Sequence, residues 1–467
     1  MKDVAESLPD DTAPAPSPPA AGPIWRQVAG LAWPALAQQG LLLSIQLYDQ
    51  FLIGPFSETH KAALTNANYI YWFVTAYAVV VNAGATALVG RFVGARDLPL
   101  ACRATGQALL LALVFGIVGT TAGLLGMPML LSVLQLPDPA AALAIEYLLP
   151  LTGLLPFYMI EAGGIACLVG AGDTRTGLKV LGTVVAVNVP LAYGLSQGVG
   201  SFEGLGFVGI AWGTGLSHVL GCGLVLATLI RGRYGLRLGA SVLRPNRELL
   251  ERLLRISVPA AFDSISIGLF QFVFLGMVNR LGETAVAAHG IAIRVEGLGY
   301  LSGAAFGTAT AALVGRALGA GRPDLAARGG WTALILGAGL MTGMGVILFT
   351  FARPLFELFC WHTGQSQVIE TGVPVLKLVA FAMPGLAATI VLTQALRGAG
   401  DTRIPVLFTW AGFLGIRLPL AYLLTSSQFG WNLGLFGAWL AMFADIYVRG
   451  LLFVIRFAGG RWKMVRV

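Results

Sequence analysis

Apolar runs long enough to cross a lipid bilayer follow one another along almost the whole chain. Crossing a hydrocarbon core of about 30 Å takes about 20 apolar residues in a helix, and only a helix or a closed barrel satisfies every backbone polar group in lipid. Only 11% of the residues are charged, against about 25% in soluble domains. The pattern predicts an all-α polytopic membrane protein with twelve transmembrane helices, at residues 27–54, 67–91, 103–127, 141–169, 177–198, 205–230, 256–280, 288–316, 330–352, 367–396, 404–425 and 432–457.

Basic residues cluster in alternate connections between the predicted spans. Cytoplasmic loops carry an excess of Lys and Arg, which places both termini in the cytoplasm and the chain in the plasma membrane, the inner membrane of a bacterium. The net charge of +8 then reflects topology, and a nucleic-acid partner is disfavoured because no continuous basic face forms. The cytoplasmic set includes Arg91, Arg96, Arg103, Arg175, Lys179, Arg316, Arg322, Arg328, Arg397, Arg403 and the tail from Arg449 onward.

Three segments outside the spans are predicted to be cytoplasmic. Residues 1–26 are rich in proline and acidic residues, which predicts a disordered tail, and they lack the basic start and apolar core of a secretory signal. Residues 231–255 contain seven arginines and predict a basic linker. Residues 458–467 predict a short C-terminal tail.

The chain repeats itself at an offset of about 225 residues. Ala-Leu-Val-Gly-Arg at 87–91 returns at 312–316, and Gly-Ala-Gly-Asp-Thr-Arg at 170–175 returns at 398–403. Further matches in nearly the same register are Pro34 with Pro259, Pro156 with Pro384, and residues 190–193 with 419–422. Agreement over so many segments indicates duplication of a six-span unit.

Six spans are an even number, so both copies enter the membrane from the same side. We therefore predict two six-helix lobes, at 27–230 and 256–457, related by a pseudo-twofold axis along the membrane normal. Transporters built this way alternate access around a central cleft, which predicts a secondary transporter.

Polar residues inside the spans are candidates for ion coupling, because an ionisable group near the bilayer centre costs about 3 kcal/mol on insertion scales. Asp49 in span 1 and Asn188 in span 5 offer hard oxygen atoms for a proton or for Na⁺. Glu161 follows Pro156, whose missing N–H loosens the helix, and both a coupling and a structural role are open. We predict Asp49, Asn188 and Glu161 as coupling residues, with H⁺ or Na⁺ as the coupling ion and no other metal or cofactor.

Five further polar residues are candidates for the substrate cleft, namely Asp263, Arg294, Glu296, Gln394 and Arg417. Asp263 lies about two turns into span 7, where capping or snorkelling is the alternative. Arg294 and Glu296 are two residues apart and do not face each other on one helix. Each therefore needs a partner on another span.

The two copies differ at the coupling positions. The second copy has Phe274 where the first has Asp49, and Arg417 where the first has Asn188. We expect the coupling acid in the first half only.

The chain contains no H-E-x-x-H, G-x-S-x-G or Walker sequence, so it is not predicted to be an enzyme. We expect Asp in each repeated Gly-Asp-Thr-Arg turn to cap the next helix and Arg to meet lipid phosphates. His218 and His289 are interpreted as core residues. The prediction is a monomeric, gradient-driven exporter of small organic molecules; a flippase for a lipid-linked precursor and, less well supported, a membrane enzyme or receptor are the alternatives.

These motifs resemble the multidrug and toxic compound extrusion (MATE) family, nearest its bacterial DinF-like branch, over about residues 27–465. The resemblance rests on Pro34, Asp49 and Gly54 in span 1, the two Ala-Leu-Val-Gly-Arg helix ends and the paired Gly-Asp-Thr-Arg turns. It implies a cation site at Asp49 beside Asn188, and export of amphipathic, often cationic compounds in exchange for protons or Na⁺. Many relatives have a second Asp where this chain has Ala192, so the cation site of this chain has one carboxylate fewer.

Overall fold

A computed structural model describes residues 22–133, 138–360, 366–426 and 431–465. Most of the described chain is helical, and none of its described residues belongs to a β-strand. Its helices are α1 (Ile24–Leu52), α2 (Glu58–Tyr77), α3 (Val79–Gly94), α4 (Leu98–Val133), α5 (Asp138–Gly153), α6 (Leu155–Ala171), α7 (Thr174–Gln197), α8 (Phe207–Ile230), α9 (Arg247–Asn279), α10 (Glu283–Gly319), α11 (Pro323–Thr350), α12 (Ala352–Phe359), α13 (Ser366–Gly398), α14 (Arg403–Gly412), a π-helical turn (Phe413–Arg417), α15 (Leu418–Thr425) and α16 (Gly434–Ala458).

The helices follow the order of the predicted spans. In the described residues, ten segments are long and apolar enough to cross a membrane, with α14, the π turn and α15 together forming one of them. α5 and α6 are bent by 51° and make an eleventh. The predicted span 67–91 falls on α2 and α3, which meet at Ala78, and α3 alone is a shorter apolar helix. The all-α membrane fold is confirmed.

Several helix ends differ from the prediction. α1 begins at Ile24, and residues 1–21 of the predicted tail lie outside the described residues, as do 466–467. The linker predicted at 231–255 is shorter, because α9 already begins at Arg247. Asn246 caps α9 by accepting a hydrogen bond from the backbone N–H of Leu249 at 3.1 Å. A polar first turn held by a cap extends the helix beyond its apolar run.

Each half of the chain contains large apolar cores, and the core of the first half also includes Leu249, Leu253 and Ala261 of α9. Leu88, Leu168 and Val225 belong to the core of the first half, and Phe274 and Trp439 to the core of the second. The first helix of each half also reaches the other half. α1 packs on α7 and also on α10 and α11, and α9 packs on α14 and also on α3.

The two halves meet at the end of the bundle that carries the repeated turns at 170–175 and 398–403, which we call the basic end. Val28 and Leu31 of α1 belong to one core with Leu313 of α10. Nearby, the backbone N–H of Gly84 donates to Ser257 Oγ across the halves at 3.0 Å. Contacts between the halves therefore close this end of the described structure.

The two repeated turns differ in how their aspartates are used. Asp173 caps α7 by accepting a hydrogen bond from the backbone N–H of Thr176 at 2.9 Å, as predicted. Asp401 instead pairs with Arg456 of α16 at 2.7 Å, and Thr402 holds the cap position without a side-chain bond. The cap predicted for the second turn was wrong, because a basic residue on α16 competes for the carboxylate.

Candidate functional site

Asp49 lies in the last turn of α1, on the buried face that also carries Ile45 and Leu52. Its side chain is 7% exposed. Tyr147 of α5 donates a long hydrogen bond to Asp49 Oδ2 at 3.4 Å, whereas Oδ1 is buried without a hydrogen-bond partner in the described structure. A buried carboxylate oxygen left unpaired is costly, so this oxygen is available for a ligand.

Asn188 lies on α7 and is fully buried. Its Nδ2 donates to Thr214 Oγ1 of α8 at 3.1 Å, which leaves Oδ1 as a second buried oxygen without a described partner. Tyr48, which precedes Asp49, donates a hydrogen bond from its hydroxyl to the carbonyl of Val189, which follows Asn188, at 3.0 Å. This bond links α1 to α7. The segments of α1 and α7 that carry Asp49 and Asn188 are therefore in contact.

These two oxygen atoms are of the chemical type that binds cations. A carboxylate oxygen can accept a proton, and carboxylate and amide oxygens are hard ligands of the kind that small cations prefer. Ala192, one turn further along α7, is fully buried in the same apolar core as Tyr147 and supplies no ligand. Asp49 and Asn188 are thus two buried candidate ligands on helices that pack together, and we call them the α1–α7 site.

Glu161 occupies a different place, between α6 and α8. Its Oε2 lies 2.8 Å from Nδ1 of His218, and both side chains are buried. The ring of Tyr158 lies edge-on to His218 at 5.1 Å, while Glu161 Oε1 has no described partner. His218 is a buried, bonded residue as expected, but its bond to an acid 57 residues away was not foreseen. Glu161 makes no described hydrogen bond to the α1–α7 site.

Asp263 of α9 forms a buried ion pair instead of facing a cleft alone. Arg397 of α13 donates from Nη2 to Asp263 Oδ2 at 2.7 Å. Asp263 is 1% exposed and Arg397 is 7% exposed. Arg397 was predicted to belong to a cytoplasmic loop, which was wrong. α13 continues to Gly398, and the pairing with Asp263 keeps the guanidinium inside the protein.

Arg417 belongs to a second buried ionic cluster, in α16 and the π turn. Asp445 accepts from Arg417 Nε at 2.8 Å and from Arg449 Nε at 2.7 Å. The centroid of the Phe413 ring lies 4.2 Å from Cζ of Arg417 and 4.9 Å from Cζ of Arg449. Grouping Arg449 with the cytoplasmic tail was wrong, whereas the predicted span 432–457, which contains it, agrees with α16.

The remaining cleft candidates do not assemble into one site. Glu296 is 9% exposed, and Arg294 is exposed; neither forms an ion pair within the described parts of the chain. The Gln394 side chain packs on α10, where a Cβ at Gly307 would lie 2.8 Å from it. Glu296 interacts electrostatically with Arg417, whereas Asp263 is paired with Arg397.

A cavity of about 940 Å³ lies at the basic end and is lined by Arg247, Arg255, Arg403 and Glu251. This basic lining is compatible with contact between Arg403 and lipid phosphates. That contact stays a prediction. The cavity does not include the α1–α7 site.

The buried pair of Asp263 and Arg397 gives a testable prediction about stability. Arg397→Ala leaves the Asp263 carboxylate buried without its cation, and breaking such a pair costs about 3–5 kcal/mol. We expect a large fall in the thermal midpoint of the purified protein in detergent. The control is Arg403→Ala, at an exposed arginine in the repeated turn that follows α13, which we expect to unfold like the parent. Equal midpoints for both variants would show that the pair contributes no stability.

Known proteins resemble the chain over nearly its full length. A family model described as MatE matches residues 34–194 and 259–423. A probable multidrug resistance protein NorM from Thermotoga maritima is 29% identical over 444 residues, which are 94% of this chain and 93% of that protein. A protein of the same description from Rhodopseudomonas palustris is 29% identical over 452 residues, with 94% and 93% covered.

Solved structures share the fold. A MATE protein crystallised with MaL6 superposes with a TM-score of 0.86 at 20% identity, covering 94% of this chain and 98% of that one. A transporter of the MOP superfamily from Pyrococcus furiosus, whose structure is described as having a binding pocket of reversed polarity, gives 0.88 at 20% identity over 97% and 100%. Identity this low supports the fold and nothing more specific.

Proposed function

This chain belongs to the MATE family of transporters, and from that premise we propose that it exports amphipathic organic compounds in exchange for H⁺ or Na⁺. The family consists of membrane transporters and not of enzymes. The observation that carries the coupling proposal is the pair of buried, unpartnered oxygens, Asp49 Oδ1 and Asn188 Oδ1. A cation bound between them offsets the cost of leaving both without a partner.

Cation binding at the α1–α7 site changes how α1 packs. A bound proton or Na⁺ neutralises the Asp49 carboxylate. α1 contacts α7 of its own half at this level, and at its other end Val28 and Leu31 contact the second half. Pro34 lies between these two contacts, and its missing N–H removes one hydrogen bond from the helix. Bending at Pro34 transmits the binding event from the site to the contact between the halves.

We further propose that the halves alternate access, with the basic end and both termini on the cytoplasmic side, as the excess of arginine there favours. Contacts between the halves at the basic end accord with a state closed on that side. Cation entry then drives the change between states. A cation that moves through about 150 mV releases about 3.5 kcal/mol, enough for a substrate gradient of a few hundredfold.

The flippase alternative is not favoured by the charges inside the second half. A lipid-linked precursor carries phosphate groups, and unpaired buried cations would suit it. Arg397 and Arg417 are instead held by Asp263 and Asp445, and Lys377 lies over the ring of Phe349 at 5.4 Å.

Asn188→Ala tests the second ligand of the site. It removes the unpartnered oxygen but leaves the carboxylate of Asp49 to exchange the cation. Loss of one such polar contact costs about 1–2 kcal/mol, so we expect the driving cation's half-saturating concentration to rise about five- to thirtyfold, with efflux at saturation retained. The measurement is efflux from membrane vesicles against pH and against Na⁺ concentration.

The control for this test is Asn66→Ala, in α2, where the amide donates to the carbonyl of Ala62 within its own helix. It should leave the half-saturating concentration unchanged. If the cation dependence of Asn188→Ala matches that of the control, Asn188 does not bind the coupling cation.

A further inference from the structure

The repeated Ala-Leu-Val-Gly-Arg segments, one from each half, pack against each other at the basic end. A Cβ at Gly90 would lie 3.6 Å from the backbone nitrogen of Arg316. A Cβ at Gly94 would collide with the carbonyl group of Arg316, and one at Gly319 would collide with that of Arg91. The helix ends of α3 and α10 therefore approach backbone to backbone, at a distance that only glycine permits.

The two arginines of these segments reach across to the other half. Arg91 of the first half donates from Nη2 to the carbonyl of Ala399, in the second repeated turn, at 2.8 Å. The same nitrogen donates to the carbonyl of Val465, in the C-terminal segment, at 2.9 Å. Arg316 of the second half lies against the first repeated turn, where a Cβ at Gly172 would be 2.7 Å from its Cζ. Each arginine thus contacts the turn of the opposite copy.

These contacts suit an interaction that forms and releases. The acceptors of Arg91 are neutral backbone carbonyls, and no carboxylate of the described residues forms an ion pair with Arg91 or Arg316. Arg91 Nε is buried without a described partner, so its hydrogen bonding is incomplete even in the closed arrangement. Breaking such contacts is easier than separating a buried ion pair, whose partners would each be left charged and unpaired.

We propose that Arg91 and Arg316, with Gly94 and Gly319, are positioning residues that hold the basic end closed and that must separate before the cleft can open on that side. We call this set the glycine-arginine lock. The duplication explains its form, because one motif copied into both halves supplies two contacts related by the pseudo-twofold axis. The lock rests on the proposed alternation of access, but not on which residues bind the coupling cation.

The experiment measures the separation of the halves directly. Spin labels are placed at residues 175 and 403, two exposed positions on the two repeated turns, after the four native cysteines are replaced by alanine. Distances are recorded by pulsed electron resonance in nanodiscs, with neither substrate nor gradient. Gly94→Ala and Arg91→Ala should each raise the longer-distance, open population at least threefold, while Arg91→Lys should give an intermediate increase.

The matched control is Gly343→Ala on α11, where a Cβ meets open space; it should reproduce the parent distances. Arg91→Lys keeps the charge and adds no bulk, so it stays informative if Gly94→Ala does not fold. In vesicles, the lock variants should change the maximal efflux rate and keep the parent's pH and Na⁺ dependence, because the α1–α7 site is intact.

Distances equal to those of the parent in Gly94→Ala, Arg91→Ala and Arg91→Lys would overturn the lock. A different result would contradict the coupling proposal and leave the lock standing. The Asn188→Ala variant would then keep the parent's cation dependence, while the distances measured in the lock variants would still lengthen.

Discussion

Asp49→Asn is expected to abolish concentrative export and to leave the folded protein in the membrane at its normal level. Asparagine has nearly the shape of aspartate but neither carries the charge nor exchanges the proton. The steady substrate gradient should fall from a few hundredfold to none, because the coupled cation's contribution of about 3.5 kcal/mol is lost. Folding should survive, since Asp49 forms no ion pair in the described structure and accepts one long hydrogen bond from Tyr147.

The measurement is energised efflux of a fluorescent organic cation such as ethidium from membrane vesicles, with protein levels matched by immunoblot. Glu203→Gln serves as the control, because it removes an exposed carboxylate outside the membrane-spanning helices and should export like the parent. Vesicles with Asp49→Asn that still build the parent gradient would show that coupling does not pass through Asp49.

Asp445→Ala is expected to have the largest effect on folding. Asp445 is fully buried and binds both Arg417 and Arg449, so its removal leaves two guanidinium groups buried without an anion. Removing one partner of a buried pair costs about 3–5 kcal/mol, and here two cations lose the same partner. We expect little folded protein after extraction in detergent, measured as the monodisperse fraction on size-exclusion chromatography and as the thermal midpoint.

Two variants separate this charge effect from a loss of side-chain volume. Asp324→Ala is the control, because Asp324 is exposed and lies 3.9 Å from Lys463; it should behave like the parent. Replacing the three buried residues together, with Arg417→Met, Arg449→Met and Asp445→Leu, removes every charge and should recover much of the lost stability. A stable Asp445→Ala protein would mean that the arginines reach water or lipid phosphate instead.

The fold was predictable because membrane spans depend on apolar length, and the register of the repeat made the halves explicit. Asp49 and Asn188 were chosen from the sequence as hard oxygen ligands within spans, and both prove to be buried with one unpartnered oxygen each. The DinF-like branch and the coupling roles stay predictions.

The ionic partners of the second half were predicted less well, for a physical reason. Arg397 lies in the last turn of α13, where apolar length cannot distinguish a loop arginine from a buried one. Asp445 and Arg449 are four residues apart on one helix, a spacing that indicates a pair and could have been used. The bond between Glu161 and His218 joins two helices, and no local pattern in the sequence reveals such a contact. Only the packing of α6 on α8 brings them together.

The most direct test of cation-coupled export is ethidium transport in proteoliposomes that contain the purified protein, under a pH gradient and a Na⁺ gradient imposed separately. Transport against the ethidium gradient is expected under at least one of the two, and Asp49→Asn protein should lose that response. Equal ethidium distribution with and without either gradient, in proteoliposomes that hold folded parent protein, would contradict cation-coupled export.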